Sequence, residues 1–193
     1  MNIFALHLEP KTCAEMHVDK HVVKMILEYS QLLSTAHRVL DGQQYVDDSS
    51  GRRIKRWKLD NSFAGDSLLY KATHINHPSA IWARESKANY QWLAYLLVEL
   101  CKEYTHRYGK VHKSEEIGLV KWLVNCIPEN ISNKPFTQPT PAMPDKYKVK
   151  GDSVKSYRNY YIGDKQRMAS WKKRQVPVWW AWEWHRLNVT API

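Results

Sequence analysis

The chain has 193 residues, of which 44% are hydrophobic, and its formal net charge at pH 7 is +10. This length and composition suit one domain with a sizeable core and exclude a chain that is disordered overall. The charge comes from 29 Lys and Arg against 19 Asp and Glu. Such a surplus favours a polyanionic partner, because cations that contact phosphates release counterions, although solubility alone would also account for it.

No run of apolar residues is long enough to span a membrane, and the N-terminal MNIFALHLEPK lacks the basic and then apolar pattern of a signal peptide. The three cysteines, Cys13, Cys101 and Cys126, are widely spaced and form no CxxC pair. This pattern argues against a disulfide framework and a cysteine zinc site. The sequence therefore predicts a protein of the reducing cytoplasm, without a membrane partner or a cofactor.

The hydrophobic periodicity predicts a mainly α-helical single domain around a central first helix. A short extended segment at residues 2–8 precedes this helix, which is expected to run from about Ala14 to Leu40 with Thr12 as its N-cap. Residues 41–58 have the composition of a loop or small hairpin. Residues 59–73 are ambiguous, and a short helix is one interpretation of them. The pattern next predicts a helix from Pro78 to Tyr108 stopped by Gly109, a helix over 113–126 and a proline-rich loop over 127–144. A helical stretch over 152–174 is predicted inside a basic aromatic segment at 145–187, and the chain closes with a tryptophan-rich end.

The predicted first helix is apolar on two faces and polar only along a narrow line between them. One face carries Val22, Ile26 and Leu33, and the other carries Val23 and Leu27. Such a helix is expected to lie centrally, with its polar line facing a cleft or an internal polar network. This line is called the polar stripe below and consists of His17, His21, Lys24, Glu28, Gln31 and Thr35.

Two interpretations of the polar stripe are open. Histidine, lysine and glutamate supply proton donors, proton acceptors and phosphate ligands, so the stripe can form the wall of an active site. Alternatively, it is a buried network in which Lys24 and Glu28 form an i,i+4 ion pair. We predict the first, with His17, His21, Lys24 and Glu28 as catalytic residues.

A metal site on the polar stripe is disfavoured. His17 and His21 have the i,i+4 spacing of paired histidine ligands. However, the segment is H-V-D-K-H, which lacks the glutamate of the H-E-x-x-H pattern, and Lys20 and Lys24 place positive charge where a cation would lie. We predict no metal.

Two further groups of residues are candidates for contact with nucleic acid. His74, Asn76 and His77 lie at the start of the second long helix, where free N–H groups favour anions, although ordinary capping by Asn76 is the alternative. Residues 145–174 hold ten Lys or Arg and three Asp, a net charge of +7, with aromatic residues between them. Basic side chains neutralise phosphates and flat rings stack on unpaired bases, whereas a solvated helix with core tyrosines is the alternative. The predicted contacts, together with Lys20, are Tyr157, Arg158, Tyr160, Tyr161, Lys165, Trp171, Lys172, Lys173 and Arg174.

Three stretches resemble the phage pyrimidine-dimer DNA glycosylases of the endonuclease V type. They are NIFALHL with CAEMHVDKHVVKMILEYSQ, then YQWLAYLLVELCKEYTHRYGK, and then SYRNYYIGDK. The resemblance implies an all-helical DNA-binding fold, and a mechanism in which an amine attacks the sugar C1′ to form a Schiff base while a carboxylate assists. In that family the amine is the N-terminus left by methionine removal; here Asn2 follows Met1, and Lys24 beside Glu28 is the candidate amine.

The resemblance favours a DNA-acting enzyme of the N-glycosylase kind, with or without lyase activity, that acts on damaged or modified pyrimidines. The block DKHVVKMILE also resembles uncharacterised tailed-phage proteins, which implies the cytoplasm of an infected bacterium. Two alternatives stay open: a nucleic-acid-binding protein without catalysis, and an enzyme that grips the phosphate of a nucleotide. DNA binding that weakens steeply with salt is expected of the glycosylase and of the non-catalytic binding protein, but not of the nucleotide-binding enzyme.

Overall fold

The computed structural model describes residues 1–60 and 65–189. This part of the chain is mainly α-helical with one small antiparallel hairpin, as predicted. No helix within it combines the length and the apolar character needed to cross a bilayer. The elements are α1 (Pro10–Glu15), α2 (Asp19–Asp41), β1 (Gln43–Asp47), β2 (Ile54–Lys58), α3 (Gly65–Leu68), α4 (Pro78–Glu85), α5 (Lys87–Tyr108), α6 (Lys113–Glu116), α7 (Leu119–Asn125), α8 (Ser153–Asp164) and α9 (Val178–Val189), with 3-10 turns at Asp145–Tyr147 and Gln166–Met168.

Helix α2 is central, as the sequence predicted. It packs along α5 and against α4 and α7, with Val22, Ile26 and Leu33 fully buried. Each such side chain contributes about 1.5–3 kcal/mol when it leaves water. The second apolar face is not part of this core, because Val23 and Leu27 are each 40% exposed. One side of the polar stripe therefore borders the surface instead of a second packed layer.

The structure corrects the prediction of one helix over residues 14–40. Helix α1 ends at Glu15, and α2 begins at Asp19 after Val18 adopts extended backbone with φ −62° and ψ 152°. His17 lies in this break and not on α2. The polar stripe is therefore divided between an interhelical turn and a helix.

One buried side chain satisfies the backbone groups that the break leaves without helical partners. Arg107 of α5 is fully buried and donates to the carbonyl oxygens of Glu15 and His17 at 2.9 and 2.8 Å. The same guanidinium bonds carboxylate oxygens of Asp19 and Glu103 at 2.9 and 3.0 Å. Three of these partners lie 88 to 92 residues away in sequence, so no local pattern could predict the break.

The predicted helix from Pro78 to Tyr108 is also two helices, α4 and α5. Ser86 separates them, because its backbone is extended and its side chain caps α5 by accepting from the N–H of Asn89 at 3.1 Å. A serine in this role is a favourable N-cap, which competes with continuation of the helix. The remainder of Lys87–Tyr108 is helical as predicted.

Helix caps were predicted with mixed success. Gly109 ends α5 in the left-handed conformation (φ +67°), as predicted. Thr12 is not the N-cap of α1, because the carboxylate of Glu9 accepts from the first N–H groups instead. At α4 the cap is His77 and not Asn76, since His77 Nδ1 accepts from the N–H of Ser79 at 3.2 Å.

The later part of the chain is less helical than predicted. The stretch 113–126 is interrupted at Gly118, which has φ +82° and separates α6 from α7. The stretch 152–174 is helical only over α8, followed by the turn at Gln166–Met168 and irregular backbone. Residues 127–141 contain no helix or strand, and β1 and β2 form the hairpin that was one of the two predictions for 41–58.

Replacing Arg107 with alanine tests the dependence of the fold on this guanidinium. The variant removes one of the two guanidinium partners of the buried Glu103 carboxylate, leaving Arg174, and it takes the Arg107 donor away from two carbonyl groups. We expect the free energy of unfolding in urea to fall by about 3–5 kcal/mol, the usual cost of breaking a buried ion pair from one side. Lys102→Ala is the matched control, since its pair with Glu99 is exposed and is worth about 1 kcal/mol or less. Equal losses in the two variants would contradict this account.

Candidate functional site

His17 is sealed in the core between α1 and α2. Its side chain is completely buried, and Nδ1 lies 2.7 Å from the carbonyl oxygen of Cys13. A carbonyl only accepts, so Nδ1 carries the proton and Nε2 accepts from the hydroxyl of Tyr29 at 3.3 Å. Burial lowers the pKa of His17 to about 4. His17 is therefore neutral near pH 7, and both of its nitrogens are bound within the protein.

His21 lies in the first turn of α2 and is 6% exposed. Its ring stacks on Phe4 with centroids 4.2 Å apart, and Nδ1 lies 2.6 Å from the hydroxyl of Tyr161. Burial, with smaller electrostatic contributions from His17, Lys165 and Lys24, lowers the pKa of His21 to about 3. His21 is therefore neutral near pH 7.

The hydrogen bond to Tyr161 is compatible with either tautomer of His21. Both the phenol and a ring nitrogen can donate, so Tyr161 is the donor when His21 carries its proton on Nε2. In the part of the chain that the structure describes, Nε2 has no hydrogen-bond partner.

The next residues of the polar stripe, Lys24 and Glu28, are more accessible than the histidines. Lys24 Nζ lies 3.1 Å from Glu28 Oε1, and the two side chains are 70% and 14% exposed. The i,i+4 ion pair offered as the alternative interpretation is therefore present. It places a solvent-accessible amine directly beside a partly buried carboxylate.

The loop before α4 brings one of its predicted residues, His77, within electrostatic range of Glu28. Thr35 anchors this loop, because its hydroxyl accepts from the N–H of Thr73 at 3.2 Å. Burial lowers the pKa of His77, the positive charges of the Met1 amine and of His74 lower it further, and Glu28 acts in the opposite direction. All these charges therefore lie within electrostatic range of His77, a juxtaposition that sequence analysis did not predict.

Several predicted nucleic-acid contacts are exposed cations around the start of α2. Lys20, Lys172 and Lys173 are exposed, and the backbone N–H of Lys172 donates to the carboxylate of Asp19 at 2.9 Å. Lys165 is half-buried, with Nζ 4.5 Å from the ring centroid of Tyr160. His74 and Asn76 are exposed as well. Lys20, one turn before Lys24 on α2, and Lys165, within electrostatic range of His21, add positive charge near Lys24.

Other predicted contacts are occupied by the protein itself. Tyr157 and Tyr161 are fully buried, and Trp171 is buried with its indole N–H donating to the carbonyl oxygen of Met16 at 2.9 Å. Neither tyrosine ring has a face open to a base. Arg158 Nε donates to a carbonyl oxygen at 2.9 Å, and Arg174 is paired with the Glu103 carboxylate. Of the predicted aromatic contacts, Tyr160 is the most exposed.

A surface cavity of about 450 Å³, which was not predicted from the sequence, lies beside the end of the basic segment. The indoles of Trp171 and Trp180 form one wall, with ring centroids 5.3 Å apart. Its polar lining comes from Gln166, Ser170 and His185. The signal for it was the run of tryptophans near the C-terminus, which had no assigned role. Within the described residues there is no group of three His, Cys, Asp or Glu able to hold a metal ion.

Comparison of the chain with protein-family models, with curated proteins and with solved structures found no match. Function is therefore inferred from the residues of this chain. Their geometry divides the four predicted catalytic residues of the polar stripe into a buried pair, His17 and His21, and an accessible pair, Lys24 and Glu28, called the accessible half of the stripe below.

The buried histidines predict a loss of stability in mild acid. Burial lowers the pKa values of His17, His21 and His37 to about 4, 3 and 4, whereas an unfolded chain titrates near 6.5. The unfolded state binds more protons between these values, so stability is full above pH 6.5 and is lost as the pH falls toward 4. Between pH 6 and pH 5 we expect each histidine to contribute a slope of about 1 kcal/mol per pH unit.

Urea unfolding at pH 7, 6 and 5 measures this slope, with His37→Gln as the test variant. His37 lies away from the stripe and contacts the hydroxyl of Tyr90 at 2.8 Å. The variant should lose about 1 kcal/mol per pH unit of the wild-type slope, because glutamine does not titrate. Identical slopes for both proteins would show that His37 is not held neutral by burial.

Proposed function

We propose that this protein is a DNA-acting enzyme of the N-glycosylase kind, with Lys24 and Glu28 as its catalytic residues. One observation carries the proposal: the accessible Lys24 amine lies 3.1 Å from the Glu28 carboxylate on the central helix. Glycosylases with a covalent intermediate need an amine as nucleophile and a nearby group that accepts and returns protons. The polar stripe supplies both at its accessible half.

The proposed reaction uses the two side chains in sequence. Glu28 takes a proton from Lys24, and the neutral amine forms a bond to C1′ as the bond between C1′ and the base breaks. The base leaves with the bonding electron pair and takes up the proton that the Lys24 nitrogen releases once it is bonded to C1′. Opening of the sugar ring, with proton transfer from Glu28 to the ring oxygen, leaves a Schiff base between Lys24 and C1′. Water then hydrolyses this link and regenerates the amine.

The charge around Lys24 supports a nucleic acid as the substrate. Lys20, Lys165 and Lys172 lie near the same end of α2, and the chain as a whole carries a net charge of +10. Cations at these positions would neutralise phosphates on both sides of a nucleotide held at Lys24. Tyr160, under the Lys165 ammonium, is the aromatic ring best placed to contact a base.

The buried histidines act in this proposal through other groups. His17 holds the break between α1 and α2 through Cys13 and Tyr29. His21, kept neutral and fixed by Tyr161, positions the first turn of α2. Neither is assigned contact with substrate, although both were predicted to be catalytic from sequence.

A second candidate is a nucleic-acid-binding protein without catalysis. The complete burial of His17 and the near-complete burial of His21 favour it, since they give half of the polar stripe a structural role. In that case Lys24 would contact phosphate, and its pair with Glu28 would stabilise the helix. Binding to DNA would then weaken steeply with salt, and no covalent intermediate would form.

Borohydride trapping distinguishes the two candidates. Wild-type protein is incubated with duplex DNA that contains one pyrimidine dimer, borohydride is added, and a covalent protein–DNA adduct is sought on a denaturing gel. We expect an adduct with wild type and no adduct with Lys24→Ala. With Glu28→Gln the adduct should form at least about 100-fold more slowly, the usual cost of losing a general base. Lys110→Ala removes an exposed lysine outside the site and should give the wild-type yield.

Two checks make the result decisive. The Lys24–Glu28 pair is accessible, so both variants should unfold within about 0.5 kcal/mol of wild type. Peptide mapping of the adduct identifies the attacking amine, since the Met1 amine also lies within electrostatic range of His77 beside Glu28. No wild-type adduct would refute the glycosylase, and an adduct mapped to Met1 would refute the role of Lys24.

A further inference from the structure

The hairpin that follows α2 is the second basic feature of the surface. Residues 43–58, called the basic hairpin below, hold five Lys or Arg and two Asp, a net charge of +3. Strands β1 and β2 pair in antiparallel register from Gln43 with Lys58 to Asp47 with Ile54. None of this region was assigned a functional role from sequence.

The basic hairpin extends from the domain and is not part of the core. Both of its faces are accessible: Tyr45 is 48% exposed on one face and Val46 is 46% exposed on the other. It is held near its base, where Arg38 donates to the carbonyl oxygen of Trp57 at 3.0 Å. A two-stranded ribbon that buries neither face adds little to stability, so its exposed cations need another explanation.

Three cations at the far end of the hairpin are free of carboxylates. Arg52, Arg53 and Lys55 are exposed, and no acidic side chain in residues 1–60 or 65–189 lies within ion-pair distance of them. Arg56 instead pairs with Asp47 at 3.6 Å. Lys71 also lies within electrostatic range of Asp47 and adds positive charge beside the hairpin.

We propose that the basic hairpin enters the major groove of double-stranded DNA, with Arg52, Arg53 and Lys55 on the phosphates. The identity of the partner as nucleic acid is shared with the proposed function, but catalysis is not required. The major groove of B-form DNA is about 12 Å wide and admits a two-stranded ribbon. Five-residue strands give a ribbon of about 17 Å, long enough to follow the groove. The major groove of A-form RNA is too narrow for side chains to read, so DNA is the partner that fits.

Helix α2 links this surface to the proposed catalytic pair. Gly42 is the residue that joins α2 to β1. From Glu28 to Asp41 the helix rises about 20 Å, at about 1.5 Å per residue. The base of the hairpin therefore lies about 20 Å from Glu28 along the axis of α2.

The test is the salt dependence of binding to undamaged duplex DNA, followed by fluorescence anisotropy. The triple variant Arg52→Ala, Arg53→Ala and Lys55→Ala should bind on the order of 100-fold more weakly at 0.1 M salt. Its slope of log affinity against log salt should be smaller by about 0.9 for each of three lost contacts. The matched control removes three exposed lysines outside both basic segments, Lys87→Ala, Lys110→Ala and Lys121→Ala, and should retain most of the affinity.

Each outcome decides one of the two proposals. Equal binding by the triple variant and wild type, with equal unfolding midpoints, would overturn the role of the hairpin. Tighter hairpin-dependent binding to duplex RNA than to duplex DNA would overturn the assignment to the major groove. Hairpin-dependent DNA binding without a borohydride adduct would support the hairpin and refute the glycosylase. Lys55→Glu, a single change on an exposed strand, repeats the test if the triple variant unfolds.

Discussion

The buried guanidinium of Arg107 is the interaction on which the rest of the structure depends. It binds two carbonyl groups at the break between α1 and α2 and two carboxylates, so that one side chain joins α5 to the start of the central helix. Burial alone would raise the pKa of Glu103, but Arg174 and Arg107 outweigh it and hold this pKa below its usual value. The pairing with Arg174 connects the C-terminal segment to the same centre. The direction of α2, and with it the placement of Lys24 and Glu28, follows from this network.

The polar stripe combines buried histidines with an accessible amine and carboxylate, and only the accessible pair can reach a substrate. His17 and His21 are neutral because burial opposes their charged forms, and their nitrogens face Cys13, Tyr29 and Tyr161. One or two turns later the same helix reaches solvent, where an amine and a carboxylate lie side by side. Lys24 and Glu28 can be charged at this accessible half, because water and an oppositely charged partner can both reach them. The basic hairpin extends the positive surface from the other end of the helix.

Sequence patterns were sufficient where the determining interactions are local. The periodicity of α2, the turn of the hairpin and the left-handed Gly109 all depend on neighbouring residues, and each was predictable. The breaks at residues 16–18 and at Ser86 were not, because distant partners satisfy the freed backbone groups at the first and serine capping competes with the helix at the second. The tyrosines of α8 show the same limit: a basic aromatic segment suits base stacking, yet Tyr157 and Tyr161 face the core. The closeness of His77 to Glu28 depends on a loop anchored by Thr35, which no spacing reveals.

The central claim is that damaged DNA binds and reacts at the accessible half of the polar stripe, at Lys24 and Glu28. A crystal structure of the protein with duplex DNA containing a pyrimidine dimer tests this most directly. The account predicts that C1′ of the damaged nucleotide lies about 3–3.5 Å from Lys24 Nζ, the separation of groups poised to react, with the basic hairpin in the adjacent major groove. Damaged DNA bound with its dimer at the cavity formed by Trp171 and Trp180, or far from α2, would contradict it.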